Sequence, residues 1–189
     1  AAFFLAAGAL GGNVTVTGLD SNSAQGDKAI LDVLKAFGAE TALNGNSAEC
    51  RKSELKGTVV NASDIPDLVP IIAVLAAYAK GKTVISGAER LRYKESDRIE
   101  SVVSNLRKMG ADVEETADGM VIHGGKALFG AVLDGYNDHR IVMAFSIAAL
   151  FAKGETVISD ANSINKSYPS FFEDYNRLGG LADVIGFGK

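Results

Sequence analysis

A repeat of about 70 residues, the length of one supersecondary unit, runs through this sequence and restricts what the chain can fold into. Three short alternating segments, each opened by a glycine, read GNVTVTG from Gly12, GKTVISG from Gly81 and GETVISD from Gly154. Ahead of each lies an alanine-rich apolar stretch of helical length: AAFFLAAGAL from Ala1, DLVPIIAVLAAYAK from Asp67 and IVMAFSIAALFAK from Ile141. Behind each comes a stretch whose apolar residues keep the spacing of one buried helical stripe. These sets are Ile30, Val33, Leu34 and Phe37, then Ile99, Val102, Val103 and Leu106, then Tyr168, Phe171, Phe172 and Tyr175. The first two copies continue through Gly38 and Gly110, which read as helix C-caps. Each then enters a hairpin, where Asn44-Gly45 and Asp118-Gly119 are expected to supply left-handed turn residues. The third copy reaches Gly179-Gly180, and the remaining LADVIGFGK is too short for the same hairpin.

The predicted unit is therefore helix, strand, helix, hairpin, used three times. A helix that is apolar on most sides needs burial on most sides. The fold class expected is α/β, a single pseudo-threefold domain over residues 1–189 with helices inside and sheets outside. A solenoid is the rival arrangement, but its units usually run roughly 20 to 50 residues and end in polar caps. The chain opens in mid-pattern without an initiator Met, which reads as a piece of a longer protein.

Composition narrows the function classes. A chain of 189 residues can bury one domain core, and 47% hydrophobic with 22% charged residues fits a globular protein, not a disordered one. The formal net charge of -4 argues against a general nucleic-acid or anionic-membrane surface, so any anion site must be local. No apolar run reaches the ~18 residues that span a bilayer, and the opening residues lack the pattern of a signal peptide. Cys50 is the lone cysteine, which forbids an internal disulfide and favours a reducing, cytoplasmic setting. His123 and His139 have no partners at metal-ligand spacing.

Charges break the helix rules at three places. First turns favour Asp and Glu, because free amides there carry roughly half a positive charge. Yet Arg140 falls in the first turn of the helix beginning NDHRIVMAF, where Asn137 reads as N-cap. Lys94 and Arg98 stand four apart in KESDRIE, on one face if one helix holds both, and the third amphipathic helix is expected to begin near Lys166, in NKSYPSFF. A threefold arrangement would gather these cations at one end of the domain, where helix amides and arginines together suit phosphate or carboxylate. Taken singly, Arg98 and Arg140 read as surface ion pairs with Asp97 or Asp138. Acids lie beside the cations: Asp67, in a turn that Asp64 can cap and Pro66 can start, and Glu95. An acid and a base among several cations suit proton transfer on a polyanionic substrate.

These same residues carry a resemblance. LRYKESDRI from Leu91, YNDHRIVMAF from Tyr136, IPD from Ile65, NSAQGD from Asn22 and NKSYPSFF from Asn165 together resemble the C-terminal part of the EPSP synthase (3-phosphoshikimate 1-carboxyvinyltransferase) family. The resemblance implies an inside-out α/β barrel of βαβαββ units, one of two such domains, with this segment returning to complete a domain begun elsewhere. It implies transfer of the enolpyruvyl group of phosphoenolpyruvate to the 5-hydroxyl of shikimate 3-phosphate, with no metal or organic cofactor. Asp67 would be the base and Lys94 would bind shikimate 3-phosphate beside it. Glu95 would be the acid, with Lys166 sharing the role. Arg98, Arg140 and Lys166 would hold phosphoenolpyruvate. The partners implied are those two substrates and the absent N-terminal half, in a monomeric parent with no nucleic acid and no membrane. Arg90 stands where some members place a substrate-binding asparagine, so no role passes to it. The related UDP-N-acetylglucosamine enolpyruvyltransferase and a non-catalytic anion-binding domain are the alternatives, and the isolated segment is expected to be inactive.

Overall fold

The computed structural model describes residues 1–20 and 26–186, so Asn22 to Gln25 of the NSAQGD motif lie outside the described residues. The period is visible as three successive units. The first holds α1 (Ala2–Gly11), β1 (Asn13–Val16), α2 (Ile30–Ala36), β2 (Glu40–Asn44) and β3 (Ser47–Arg51). The second holds β4 (Val59–Asn61), α3 (Val69–Tyr78), β5 (Gly81–Ser86), α4 (Arg98–Lys108), β6 (Asp112–Thr116) and β7 (Gly119–Gly124). The third holds β8 (Val132–Leu133), α5 (His139–Ala149), β9 (Val157–Ile158) and α6 (Phe171–Arg177). Each unit has its own sheet, ordered β1-β3-β2, β4-β5-β7-β6 and β8-β9. β4 runs parallel to β5 and β8 parallel to β9, whereas the hairpin strands pair antiparallel. Among the described residues the first sheet has no counterpart of β4, and the third has none of β6 and β7.

The apolar helices pack on one another. α1, α3 and α5 are in mutual contact, and every residue of α3 from Val69 to Ala77 is buried. A helix with no polar face gains roughly 1.5–3 kcal/mol for each large apolar side chain that leaves water, whichever side it points to. The Tyr78 hydroxyl donates to the Ala148 carbonyl at 2.7 Å, tying the end of α3 to the last turn of α5, and burial pushes its pKa up. The amphipathic helices sit outside this trio. In α4 the predicted stripe of Ile99, Val102, Val103 and Leu106 is buried. α6 is shorter than its stripe, because Tyr168 precedes it, yet Tyr168 still packs edge-on to Phe4 of α1.

The expected glycine caps are present. Gly38 and Gly110 take φ +85° and +87°, and Gly179 repeats this at +99°. In each case the following amide reaches back to the last turn, Ala39 to Leu34, Ala111 to Leu106 and Gly180 to Tyr175, at 2.9, 3.0 and 3.0 Å. Both hairpins differ from expectation: Gly45 is left-handed but Asn44 is not, and in the second neither Asp118 nor Gly119 is. Gly119 is needed for close approach instead, because a Cβ there would lie 2.0 Å from the Ile85 carbonyl oxygen on the neighbouring strand. Gly119→Ala is therefore expected to destabilise by about 1–3 kcal/mol, as overpacking does, read as a lower urea midpoint. An unchanged midpoint would show that β5 and β7 can spread.

Two capping expectations are corrected. Ile65, not Asp64, stands at the N-cap of the 3-10 turn Pro66–Leu68, and no side chain caps it. The N-cap of α5 is Asp138, because Asn137 is left-handed at φ +48° and the Asp138 carboxylate reaches the Arg140 amide at 2.9 Å.

Candidate functional site

The starts of α3, α4 and α5 meet at one place, and the residues singled out by charge converge there. Arg98 is the centre. Its side chain is only 1% exposed, and its Nε, Nη1 and Nη2 each lie 2.7 Å from a carboxylate oxygen, of Asp138, Asp67 and Glu95 respectively. The surface pair with Asp97 does not form; the partner comes from the next unit. Asp138 is fully buried and also accepts from the Ser96 hydroxyl at 3.2 Å. From sequence Asp138 reads as a surface counter-ion, and its place as N-cap of α5 is the one local signal that its carboxylate is fixed.

Asp67 gathers the remaining cations. Lys94 Nζ lies 3.5 Å from its Oδ1 and Arg140 Nη2 lies 3.7 Å from its Oδ2. Arg140 Nη1 also donates to the Asp67 backbone carbonyl at 2.9 Å and pairs with Asp27 at 3.2 Å. Lys94 and Arg98 meet at Asp67 although no helix holds both, since Lys94 follows the 3-10 helix Glu89–Tyr93 and α4 begins at Arg98. Lys166 stands one step away and donates its ammonium to the Asn137 carbonyl. Thus Asp67, Lys94, Glu95, Arg98 and Arg140 form one network, with Lys166 at its margin beside the α5 cap.

The electrostatics follow from these distances. Burial works to raise the Asp67 pKa, but Arg140, Arg98 and Lys94 together outweigh it and hold the carboxyl below its ordinary value. For Asp138, burial is likewise overcome, here by the hydrogen bond and charge of Arg98. Burial tends to lower the Arg98 pKa, yet its carboxylates keep it raised and charged. His139 goes the other way: burial lowers its pKa, and its Nδ1 is buried with no hydrogen-bond partner. Asp67 and Glu95 are 37% and 39% exposed, so they face solvent while Arg98 lies behind them. Beside Asp67 opens a cleft of about 340 Å³ walled by Asp27, Ser63, Asp64 and Arg90.

A pH dependence results. Both aspartates have folded pKa values below the unfolded value of about 3.9, so the stability they add is complete above it and is lost as pH falls through the lowered folded values. Asp138→Asn is expected to flatten the acid limb of a stability-against-pH curve measured by urea unfolding. An unaltered acid limb would mean that other carboxylates govern it.

The arrangement presents an ionised carboxylate and a second carboxyl on a wall of cations, which fits proton transfer on an anionic ligand. Comparisons with known proteins place the chain in a family. The sequence model of the family described as EPSP synthase (3-phosphoshikimate 1-carboxyvinyltransferase) matches residues 1–175. The 3-phosphoshikimate 1-carboxyvinyltransferase of Clostridium novyi (strain NT) is 46% identical over 188 residues, covering 100% of this chain and 43% of that protein. That of Pyrococcus abyssi (strain GE5 / Orsay) is 48% identical over 178 residues, covering 94% of this chain and 43% of its own length. A solved structure of EPSP synthase from Acinetobacter baumannii superposes with a TM-score of 0.86 at 30% identity, over 98% of this chain and 46% of that one. The chain thus spans less than half the length of these relatives. A family model that matches residues 1–175, relatives at 46–48% identity and a solved structure of the same mixed α/β fold show that the chain belongs to the EPSP synthase family.

Proposed function

We propose that this chain supplies one part of an enzyme that transfers the enolpyruvyl group of phosphoenolpyruvate to the 5-hydroxyl of shikimate 3-phosphate, releasing phosphate. The observation that carries the reading is the convergence of Lys94, Arg98 and Arg140 on Asp67, with Glu95 on the same arginine. Glu95 gives a proton to the methylene carbon of phosphoenolpyruvate, with Lys166 sharing the role, and cationic character develops at the adjacent carbon. Asp67 takes the proton of the 5-hydroxyl as its oxygen attacks that carbon, and Lys94 holds shikimate 3-phosphate beside it. The tetrahedral adduct then loses phosphate and a proton from the new methyl group to restore the alkene. Arg98, Arg140 and Lys166 orient the phosphoenolpyruvate anion and add electrostatic stabilisation. No step calls for a metal or an organic cofactor.

Arg98 meets this role only by exchange, since its three nitrogens already hold carboxylates. A ligand carboxylate replaces Asp67 and Glu95 on Nη1 and Nη2, while Asp138 keeps Nε. The exchange frees the two groups that move protons.

The architecture we infer is an inside-out α/β barrel of three βαβαββ units, residues 1–189 forming the returning segment of a two-domain protein. The strand missing beside β1 and the hairpin missing beside β9 would come from the remainder, as would the partner domain and the rest of both substrate sites. Among the described residues no helix is long and apolar enough to cross a membrane. A monomeric cytoplasmic enzyme that needs neither membrane nor nucleic acid is the form proposed for the whole.

The test is phosphate release by the full-length protein that carries this chain, given phosphoenolpyruvate and shikimate 3-phosphate. Turnover with both substrates, and none from this segment alone, is expected. Turnover only with UDP-N-acetylglucosamine as acceptor would reassign the substrate, and binding without release would make the domain a non-catalytic anion binder.

A further inference from the structure

Arg92 forms no ion pair with Asp67, Glu95 or Asp138, and its guanidinium is committed in four other directions. Its Nε donates to the Ala117 carbonyl at 3.1 Å, and Nη2 donates to the Thr116 carbonyl and the Glu115 carboxylate, both at 2.9 Å. Its Nη1 donates to Asp97 Oδ2 at 2.9 Å, while Asp97 Oδ1 caps α4 through the Glu100 amide at 3.1 Å. One side chain therefore joins the tip of the β6–β7 hairpin to the start of α4. The Arg92–Asp97 bond also closes a short loop, and that loop holds Lys94, Glu95 and Ser96.

The hairpin tip secures the other end of the same segment. Asp118 accepts from the Gly87 amide through its side chain at 2.8 Å and from the Ala88 amide through its carbonyl at 2.7 Å. The backbone part of this tie belongs to the repeat, because the Leu19 amide makes the corresponding bond to the Asn46 carbonyl at 2.8 Å in the first unit. The guanidinium does not belong to the repeat. The matching position is Ser23 in the first unit and, counted from the following helix or the preceding strand, Ala161 or Asn165 in the third, none of which can bridge four acceptors. The extra fastening is confined to the unit whose connecting segment carries Lys94, Glu95 and Arg98.

We propose that Arg92 is a positioning residue: braced on the β6–β7 hairpin tip, it fixes the Lys94–Arg98 segment so that Glu95 and Lys94 face the bound substrates. The proposal rests on the enolpyruvyl-transfer reading above. Only a planar fork with divergent donors meets two carboxylates and two carbonyls at once, so lysine is a poor substitute. From Lys94 to Ser96 the loop it closes has no regular helix or strand; the Lys94–Asp67 and Glu95–Arg98 pairs that also hold it are those the proposed ligand exchange breaks or alters, which leaves the staple and the Ser96–Asp138 bond to keep its geometry. A misplacement of about 1 Å in such groups can cost about 100-fold in rate.

The test uses the full-length enzyme with Arg92→Ala, Arg92→Lys and Glu115→Gln, beside Glu95→Gln as reference. Rates are expressed per folded active site, counted by binding of shikimate 3-phosphate. For Arg92→Ala we expect kcat about 30-fold lower, a larger solvent deuterium isotope effect as proton transfer becomes limiting, and partial rescue by millimolar guanidinium ion. Arg92→Lys should recover less than about threefold of that loss, and Glu115→Gln should lower kcat about threefold to tenfold. A purely structural arginine would reduce the number of active sites and leave kcat per site and the isotope effect unchanged, and that result overturns the proposal. Should Arg92→Ala fail to fold, Glu115→Gln decides, and an unaltered kcat there overturns it equally. If Glu95→Gln keeps full activity, the enolpyruvyl-transfer assignment itself has failed. If Glu95→Gln is inactive while Arg92→Ala and Glu115→Gln turn over normally, only the positioning role is wrong.

Discussion

Replacing Arg98 by methionine in the full-length protein is expected to lower stability by about 3–5 kcal/mol and to abolish phosphoenolpyruvate binding. The stability loss has a specific source. Asp138 is fully buried and Arg98 nearly so, with their closest atoms 2.7 Å apart. Methionine fills much of the space but leaves the Asp138 carboxylate without a counter-charge, and an uncompensated buried ion is far more costly than the pair was favourable. Two further measurements identify that source. In Arg98→Met the deficit should shrink on acidification, because a protonated Asp138 needs no partner. The double variant Arg98→Met with Asp138→Asn should recover most of the lost urea stability, while phosphoenolpyruvate binding stays absent. If the double variant is as unstable as the sum of the single ones, the pair is not coupled and the cost lies in packing.

Asp67→Asn should separate binding from chemistry. Asparagine keeps an oxygen for Arg98 Nη1 and loses the negative charge that Lys94, Arg98 and Arg140 share. Loss of a general base lowers kcat by about 10²–10⁴-fold. At the same time the three cations lose their internal competitor, so phosphoenolpyruvate should bind more tightly than to the unaltered enzyme. Equilibrium titration and steady-state turnover on one preparation check both signs. Weaker binding together with slow turnover would mean that Asp67 supports the anion site and does not compete for it.

How much of this is legible in the sequence depends on the range of the interaction concerned. The period, the three buried helices and the glycine-terminated amphipathic helices come from local pattern, and Ile99, Val102, Val103 and Leu106 are buried as their spacing requires. Arg98 and Arg140 at helix starts are also legible, because a cation in a first turn conflicts with the local dipole, whereas Lys94 precedes α4 and Lys166 ends a 3-10 helix ahead of α6. The partners of the two arginines are not. Arg98 and Asp138 are separated by 40 positions, and nothing near either residue distinguishes a buried pair from two solvated charges. Asp97 is the obvious neighbour for Arg98, but a cap geometry turns its carboxylate back onto Glu100 and toward Arg92. Lys94 and Arg98 illustrate the opposite case: the expected common helix is absent, yet both reach Asp67 because the chain ahead of α4 folds back.

Near-repeats carry a hazard in folding, since a strand or helix of one copy can dock where its sibling belongs. Apolar contacts among α1, α3 and α5 discriminate weakly between siblings, all of them alanine-rich and buried on most sides. The Arg98–Asp138 pair discriminates sharply, because the fully buried Asp138 carboxylate meets the Arg98 guanidinium only when the third unit is docked at the start of α4. A swapped arrangement strands a charge in the interior. The same buried pair thus acts as a proofreading key for chain order, and amides of α4 and α5 should become protected from hydrogen exchange together during refolding.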